Sequence, residues 1–342
     1  MQGWASVVAL RACAHVRIIR KGAAARREEP RMANDLSIFS GTSNPPLANA
    51  VAQALGVPLG AAVVDRFPDG EVTVHLQEPV RRKEVFIVQP TSPPVNDHLV
   101  ELLAFADACR RASAAQITAV VPYFGYARAD KRHGRREPIT ASMVAVLLQA
   151  VGINHVITID LHASQIEGFF HVAVDSLTAV PLLCDAMRPR LPADTVVVSP
   201  DAGRLAMATD YAQRLQTSVV LLHKTRETGS KTHVTHLVGD VRGRTCLIVD
   251  DMIATGGTLA ESIETLLDAG ARPGIMVAAT HALWLESAPH KLAAAPVAEV
   301  FVTDTIPQAA GELAPLRVVP VTPLIAGAIE RVVANRSLSD LF

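Results

Sequence analysis

Val249-Asp250-Asp251-Met252-Ile253-Ala254-Thr255-Gly256-Gly257-Thr258 reads as a strand ending in two carboxylates, then a glycine-bearing turn closed by threonines, then a helix over 259–267. Cys246, Leu247, Ile248 and Val249 form an apolar run of the length expected for a buried parallel strand. Gly256 and Gly257 let the backbone approach a ligand with no Cβ in the way. The N–H groups that open the helix carry roughly half a positive charge between them, so a phosphate at Thr255–Thr258 is met by backbone donors, the helix dipole and two hydroxyls. Asp250 and Asp251 would repel that phosphate. They make sense there as acceptors for sugar hydroxyls or as holders of Mg²⁺. The plainer alternative is a strand-end turn followed by an ordinary helix start.

Working outward, 342 residues suffice for two domains, each with its own core, and 49% hydrophobic residues suit an α/β enzyme. The 32 basic and 33 acidic residues nearly cancel, so no global field draws the chain to nucleic acid or to an anionic membrane. Cys13, Cys109, Cys184 and Cys246 show no paired spacing, which fits a reducing compartment, and the cytoplasm is the expected location. The apolar stretch over 144–153 is broken by Gln149 and Gly152 and is too short to cross a bilayer. Residues 1–31 stand apart: seven Arg and Lys against Glu28 and Glu29, with no apolar centre leading to a cleavage site. They read as a disordered or miscalled extension, with an organelle address as the alternative.

The plan of the central stretch occurs twice. Residues 79–88 (Pro-Val-Arg-Arg-Lys-Glu-Val-Phe-Ile-Val) align one to one with 240–249 (Asp-Val-Arg-Gly-Arg-Thr-Cys-Leu-Ile-Val). In the same register Asp107-Ala108 falls on Asp268-Ala269, at the end of the following helix, and each half returns to a strand, at 117–121 and 275–279. The first copy has Gln89-Pro90-Thr91-Ser92 where the second has its acids and glycines, so it has lost the anion loop. Further strands are expected at 63–64, 156–159, 196–199, 219–222, 300–302 and 318–321, alternating with helical runs such as 47–55 and 139–149. That alternation predicts parallel sheets flanked by helices, with ligands beyond the carboxyl ends of the strands.

Four more segments follow strands and carry chemistry. Pro122-Tyr123-Phe124-Gly125-Tyr126-Ala127-Arg128 sets a planar guanidinium on an aromatic platform, a shape suited to polyphosphate, though charge runs also occur as plain solvated faces. Arg66-Phe67-Pro68-Asp69-Gly70-Glu71 contains a tight-turn signal and on its residues alone is equally an ordinary turn. Asp160-Leu161-His162 and Ser199-Pro200-Asp201 end two other strands, and His162 and Asp201 could face one cleft or be structural. His223-Lys224-Thr225-Arg226, followed by Glu-Thr-Gly-Ser-Lys, offers two cations on a loop that could close over developing charge.

Together these stretches resemble the ribose-phosphate pyrophosphokinase family, which shares its phosphoribosyl loop with type I phosphoribosyltransferases. The resemblance runs from about Ile38 to Phe342. It implies two tandem type I phosphoribosyltransferase-like domains, over 34–180 and 181–323, each a mainly parallel sheet flanked by helices, after an extension over 1–33. A segment over 324–342 would return to the first domain. The implied activity is transfer of the β,γ-pyrophosphoryl group of MgATP to the anomeric hydroxyl of ribose 5-phosphate. By resemblance, Lys224 and Arg226 are catalytic, Phe67, Asp69, Glu71, Arg128 and His162 bind ATP, and His162 and Asp201 hold Mg²⁺. Asp250, Asp251, Thr255, Gly256, Gly257 and Thr258 bind ribose 5-phosphate, and Ser164, Arg136, Ser337 and Ser339 belong to a regulatory phosphate or ADP site. The implied assembly is a homo-oligomer, a hexamer built from dimers, with no nucleic-acid or membrane partner.

The sequence departs from that family's common pattern at Ala129, Arg204 and Ala254, where glutamine, glycine and an acid are frequent, and at Arg135 and Ser176 in the regulatory segment. A non-catalytic regulatory homologue, or a phosphoribosyltransferase consuming phosphoribosyl pyrophosphate, are the rival expectations. Removing residues 1–31 should leave the thermal midpoint of unfolding unchanged, because a basic segment without strand or helix periodicity has no core to join. Differential scanning calorimetry of the shortened chain checks this, and a midpoint several degrees lower would show that the extension packs.

Overall fold

The computed structural model describes residues 36–132, 134–226, 232–285, 288–308 and 316–341; the extension expected over 1–33 lies outside them. Two parallel sheets are built from the apolar runs. In the first, β1 (Leu36–Ser40), β4 (Glu84–Val88), β5 (Gln116–Val121), β6 (His155–Ile159) and β7 (Ala173–Leu177) lie side by side in that order. In the second, β8 (Val196–Ser199), β11 (Cys246–Ile253), β12 (Ile275–Ala282), β13 (Val297–Thr303) and β14 (Leu316–Val319) repeat the arrangement. The intervening hairpins correspond too. β2 (Ala62–Arg66) and β3 (Val72–Leu76) form a separate ribbon, whereas β9 (Val219–Arg226) joins β8 in parallel and carries β10 (Thr232–Val238) at the sheet edge.

Helices complete the repeat. α1 (Pro45–Ala54), α2 (Val95–Arg111) and α3 (Thr140–Ala150) serve the first sheet, and α5 (Leu205–Leu215), α6 (Gly257–Asp268) and α7 (Ala288–Ala294) serve the second. α4 (Val180–Met187) links the halves and α8 (Thr322–Val333) closes the fold. The duplicated plan is therefore present element for element, and besides the detached ribbon it differs in that α2 runs a turn beyond Asp107, while α6 ends at Asp268.

Strand periodicity decides which core each side chain enters. Phe86 and Val88 of β4, and Leu247 and Val249 of β11, point into a central core that α1, α4, α5 and α8 also enter. Their neighbours in sequence, Val85 and Ile87, pack toward α2 and α3, and Cys246 and Ile248 toward α6. Both faces being covered, the runs Val85–Val88 and Cys246–Val249 are apolar on both sides, as buried parallel strands are. Cys109, Cys184 and Cys246 are free and buried, and among the described residues no helix is long and apolar enough to cross a membrane.

The two halves are joined where the carboxyl ends of β6 and β12 meet. Asp160 Oδ2 accepts hydrogen bonds from Thr280 Oγ1 at 2.6 Å and from the Ala179 amide at 3.0 Å. His281, wholly buried beside it, lies 3.1 Å from the Ile159 carbonyl and 3.0 Å from Thr305 Oγ1. Burial pushes the Asp160 carboxyl up, against the hydrogen bonds it accepts, and pushes the His281 imidazole down. Asp160 sits at φ +42°, a left-handed conformation costly for a residue with a Cβ and paid back by these bonds.

Asp160→Ala should therefore lower stability by about 2–4 kcal/mol, since it strands a buried hydroxyl and a buried amide. Asp160→Asn, which can still accept from Ala179, should lose markedly less. Chemical denaturation followed by circular dichroism separates the two, and equal losses would show that the bonds contribute little.

Candidate functional site

β11 does not stop at the two carboxylates, where the sequence suggested it would end. It keeps pairing with β12 through Met252 and Ile253, opposite His281 and Ala282, which carries Asp250 and Asp251 to the rim of the sheet. Period-2 alternation then separates their fates. Asp251 is turned inward, its side chain 2% exposed, and Asp250 remains 14% exposed toward a cavity. Beyond them Gly256, at φ +71°, caps α6. A Cβ there would press on Ala288 at 3.3–3.4 Å, so both the turn and the close approach require glycine. Gly257 faces open space, its nearest neighbour being Thr255 Oγ1 at 3.8 Å from an added Cβ. The first amides of α6 thus open on the cavity.

That cavity has a volume of about 540 Å³. The turn 254–258 and the acid pair form one wall; His162, Asp201, Arg204, Arg128 and Lys131 form the others. Both halves contribute, because His162 follows β6 and Arg128 follows β5, while Asp201 and Arg204 follow β8.

His162 and Asp251 are joined directly, Nδ1 to Oδ2, at 2.7 Å. Arg204 completes the cluster: its Nε lies 3.4 Å from Asp250 Oδ1 and 3.3 Å from Asp251 Oδ1, and its Nη1 donates to the His162 carbonyl at 2.9 Å. Burial would raise the Asp251 carboxyl, but the His162 hydrogen bond and the Arg204 charge outweigh it and hold the group down at about 2. Asp250 goes the other way, pushed well above the usual carboxylate range by burial and by the charge of Asp251 beside it. The adjacent acids are thus differentiated, one a fixed anion and the other able to hold a proton at its exposed edge.

Asp201 accepts from the Arg204 amide at 3.1 Å and so caps the turn 202–204. It lines the cavity with His162, but among the described residues no group of three His, Cys, Asp or Glu side chains is placed to hold a metal ion. Arg128 is exposed and borders a second cavity of about 530 Å³, whose walls include Tyr123, Tyr126 and Pro94. It therefore stands at the junction of the two spaces.

Phe67, Asp69 and Glu71 occupy the tip of the β2–β3 ribbon. The tip is tied by the Phe67 amide to the Glu71 carbonyl at 2.8 Å, leaves Phe67 54% exposed, and lines neither cavity. Lys224 and Arg226 lie on β9 opposite Val234 and Thr232; their side chains and residues 227–231 lie outside the described part of the molecule. Ser337 and Ser339 hydrogen-bond to each other at 2.9 Å, and Ser164 and Arg136 are exposed on other loops. Sequence reasoning missed Arg204 and Lys131 as cavity residues. For Arg204 a signal existed, a cation three residues beyond Asp201 at the end of a buried strand.

Residues 36–152 match the family described as the N-terminal domain of ribose phosphate pyrophosphokinase, and residues 226–342 match the phosphoribosyl synthetase-associated domain. The ribose-phosphate pyrophosphokinase of Bradyrhizobium diazoefficiens is 43% identical over 310 residues, 90% of this chain and 98% of that protein. Its counterpart in Caldanaerobacter subterraneus is 44% identical over 314 residues, 91% of this chain and 99% of that protein. The crystal structure of phosphoribosylpyrophosphate synthetase from Mycobacterium smegmatis superposes with a TM-score of 0.83 at 40% identity, covering 88% of this chain and 99% of that one. With two family matches in tandem and relatives aligned over nine-tenths of its length, this chain belongs to the ribose-phosphate pyrophosphokinase family.

Proposed function

We propose that the cavity at the meeting of the two sheets binds ribose 5-phosphate, and that the chain transfers to its anomeric hydroxyl the β,γ-pyrophosphoryl group of MgATP, releasing AMP. The observation that carries this is the placing of an anion-binding helix start and an acid pair in one cavity with Arg128, which opens on a second space. The 5-phosphate rests on the amides and hydroxyls of Thr255–Thr258. Asp250, the exposed acid, accepts from a ribose hydroxyl, and Asp251 holds the wall in position through His162 and Arg204. Arg128 takes the triphosphate where the two cavities meet. The anomeric oxygen attacks the β-phosphorus in line, and charge shifts onto the AMP oxygen that leaves.

Mg²⁺ would supply charge neutralisation of the phosphates, and among the described residues no group of three His, Cys, Asp or Glu side chains is placed to cage it. The ion would arrive with ATP, and His162 and Asp201 are the residues that would hold it, in keeping with the way Mg²⁺ is commonly bound through substrate phosphates. Lys224 and Arg226 close over the transferring group from β9. Phe67, Asp69 and Glu71, exposed at the tip of their ribbon, serve the adenine of a neighbouring copy in a homo-oligomer, which by family resemblance is a hexamer built from dimers. Ser164, Arg136, Ser337 and Ser339 form the regulatory phosphate or ADP site in that assembly. The domain division 34–180, 181–323 and 324–342 and a cytoplasmic setting belong to the same reading.

Purified chain should release AMP only when ATP and ribose 5-phosphate are both present. Synthesis of a nucleotide from phosphoribosyl pyrophosphate and a free base, without AMP release, would identify a transferase. Absence of both, with stimulation of an active relative, would identify a regulatory homologue. Lys224→Ala and Arg226→Ala should each lower kcat by roughly a hundredfold or more, the scale of one lost transition-state donor, with small changes in KM. Equal losses in ATP affinity and kcat would show ground-state binding.

Ala254→Asp restores an acid beside the sugar-phosphate turn. A charge-assisted hydrogen bond is worth roughly 1.5–3 kcal/mol, so KM for ribose 5-phosphate should fall up to about tenfold. An unchanged KM would mean that position 254 does not reach the sugar.

A further inference from the structure

Arg204 is held in place from both ends. Ser199 Oγ donates to the Asp201 carbonyl at 2.7 Å and Asp201 Oδ1 accepts from the Arg204 amide at 3.1 Å, so the turn after β8 is fixed and the side chain is aimed into the cavity wall. It is 13% exposed there. Its Nη2 lies 2.9 Å from His162 Nδ1 and 3.2 Å from Nε2. No atom can approach both ring nitrogens that closely in the ring plane without striking the Cε1–H between them, so the guanidinium lies over the imidazole face. That leaves Nδ1–H free to donate to Asp251, and the same guanidinium reaches both carboxylates through Nε.

We propose that Arg204 is a built-in cation of the sugar-phosphate pocket, occupying the place between the acid pair and His162 that a divalent ion would otherwise fill, so that this chain binds its sugar phosphate with no divalent ion at Asp250 and Asp251. Two adjacent, largely buried carboxylates need a positive partner. A planar fork satisfies several acceptors at once and stacks on a flat ring, which an ammonium cannot do. Mg²⁺ would need oxygens at about 2.0–2.1 Å in octahedral array. It could take the place between the acids and His162 only by expelling the guanidinium. The divalent ion required for turnover is then that of ATP alone.

The proposal rests on the ribose-phosphate reading for its ligand, but its metal arm does not. Full-length, chelator-treated protein is titrated with MnCl₂ alone in a calorimeter. Wild type and Asp250→Asn should give the same heats, whereas Arg204→Gly should acquire a saturable site that Arg204→Gly/Asp250→Asn lacks. Ribose 5-phosphate should bind wild type equally in EDTA and in MgCl₂. In EDTA, Arg204→Gly should bind it about tenfold more weakly or worse, the scale of a lost charge-assisted hydrogen bond, and MgCl₂ should restore binding. A wild-type Mn²⁺ site removed by Asp250→Asn, or wild-type sugar-phosphate binding abolished by EDTA, overturns the proposal whether or not the glycine variant folds. If the metal arm behaves as expected and no form binds ribose 5-phosphate, the ligand reading fails and the built-in cation stands.

Discussion

The hydrogen bond from Thr280 to the buried carboxyl of Asp160 is the constraint on which the cavity depends. It pins the end of β6 to the end of β12, and two residues further along β6's exit lies His162, the imidazole that faces the acid pair of the other half. A site split between two sheets is only as well defined as the joint between them. Here the joint is buried, made of hydrogen bonds to a single carboxyl, and backed by His281 and by Asn44, whose side chain donates to the Asp304 carbonyl at 2.8 Å. The central core behind it, shared by both sheets, resists shear because its side chains interdigitate from both halves.

Electrostatics at the site follow from where alternation sends two neighbouring acids. Turned inward, Asp251 is kept ionised by His162 and Arg204 in spite of its burial; facing outward, Asp250 feels that fixed charge and resists a second. On the proposed reading, a sugar hydroxyl would meet a carboxyl at the edge of a neutralised cluster rather than two bare charges. This lets an anion sit a few residues away, at the start of α6, without strong repulsion.

Much of this was legible in the sequence. The run Cys246–Val249 and the glycines after it gave strand, turn and helix in the right order, and the one-to-one match of 79–88 with 240–249 anticipated a repeat that extends to every principal element. Three kinds of information were not legible. The true end of β11 is set by its partner β12, a non-local contact with no mark in the strand itself. β3, β7 and β10 carry polar residues such as Thr73, His75, Asp175 and His236 on faces that are not fully buried, so their periodicity is weak. Arg204 stood out only as a departure from a familiar pattern, because the partners that give it meaning, at 162, 250 and 251, are brought to it by folding.

The repeat has a further consequence. In the first half the loops after β1 and β4 occupy the places taken in the second half by the turn of Asp201 and the acid pair, and they close on one another. Glu101 of α2, fully buried, accepts from the Thr42 amide and hydroxyl, each at 2.6 Å, and from Gln89 Nε2 at 3.0 Å. Gln89 in turn accepts from the Ser43 amide at 3.1 Å, and Gly41 leaves the space its side chain fills. The copy that lost its anion loop has acquired a tethered anion, a carboxylate supplied by its own helix. The loops of that half are tied to one another by these bonds, while the turn 254–258 of the other half lines the cavity. The matching places of the two halves are thus filled differently: a carboxylate of the fold's own helix closes one, and the other opens on the cavity that His162 and Arg128 of the first half also line.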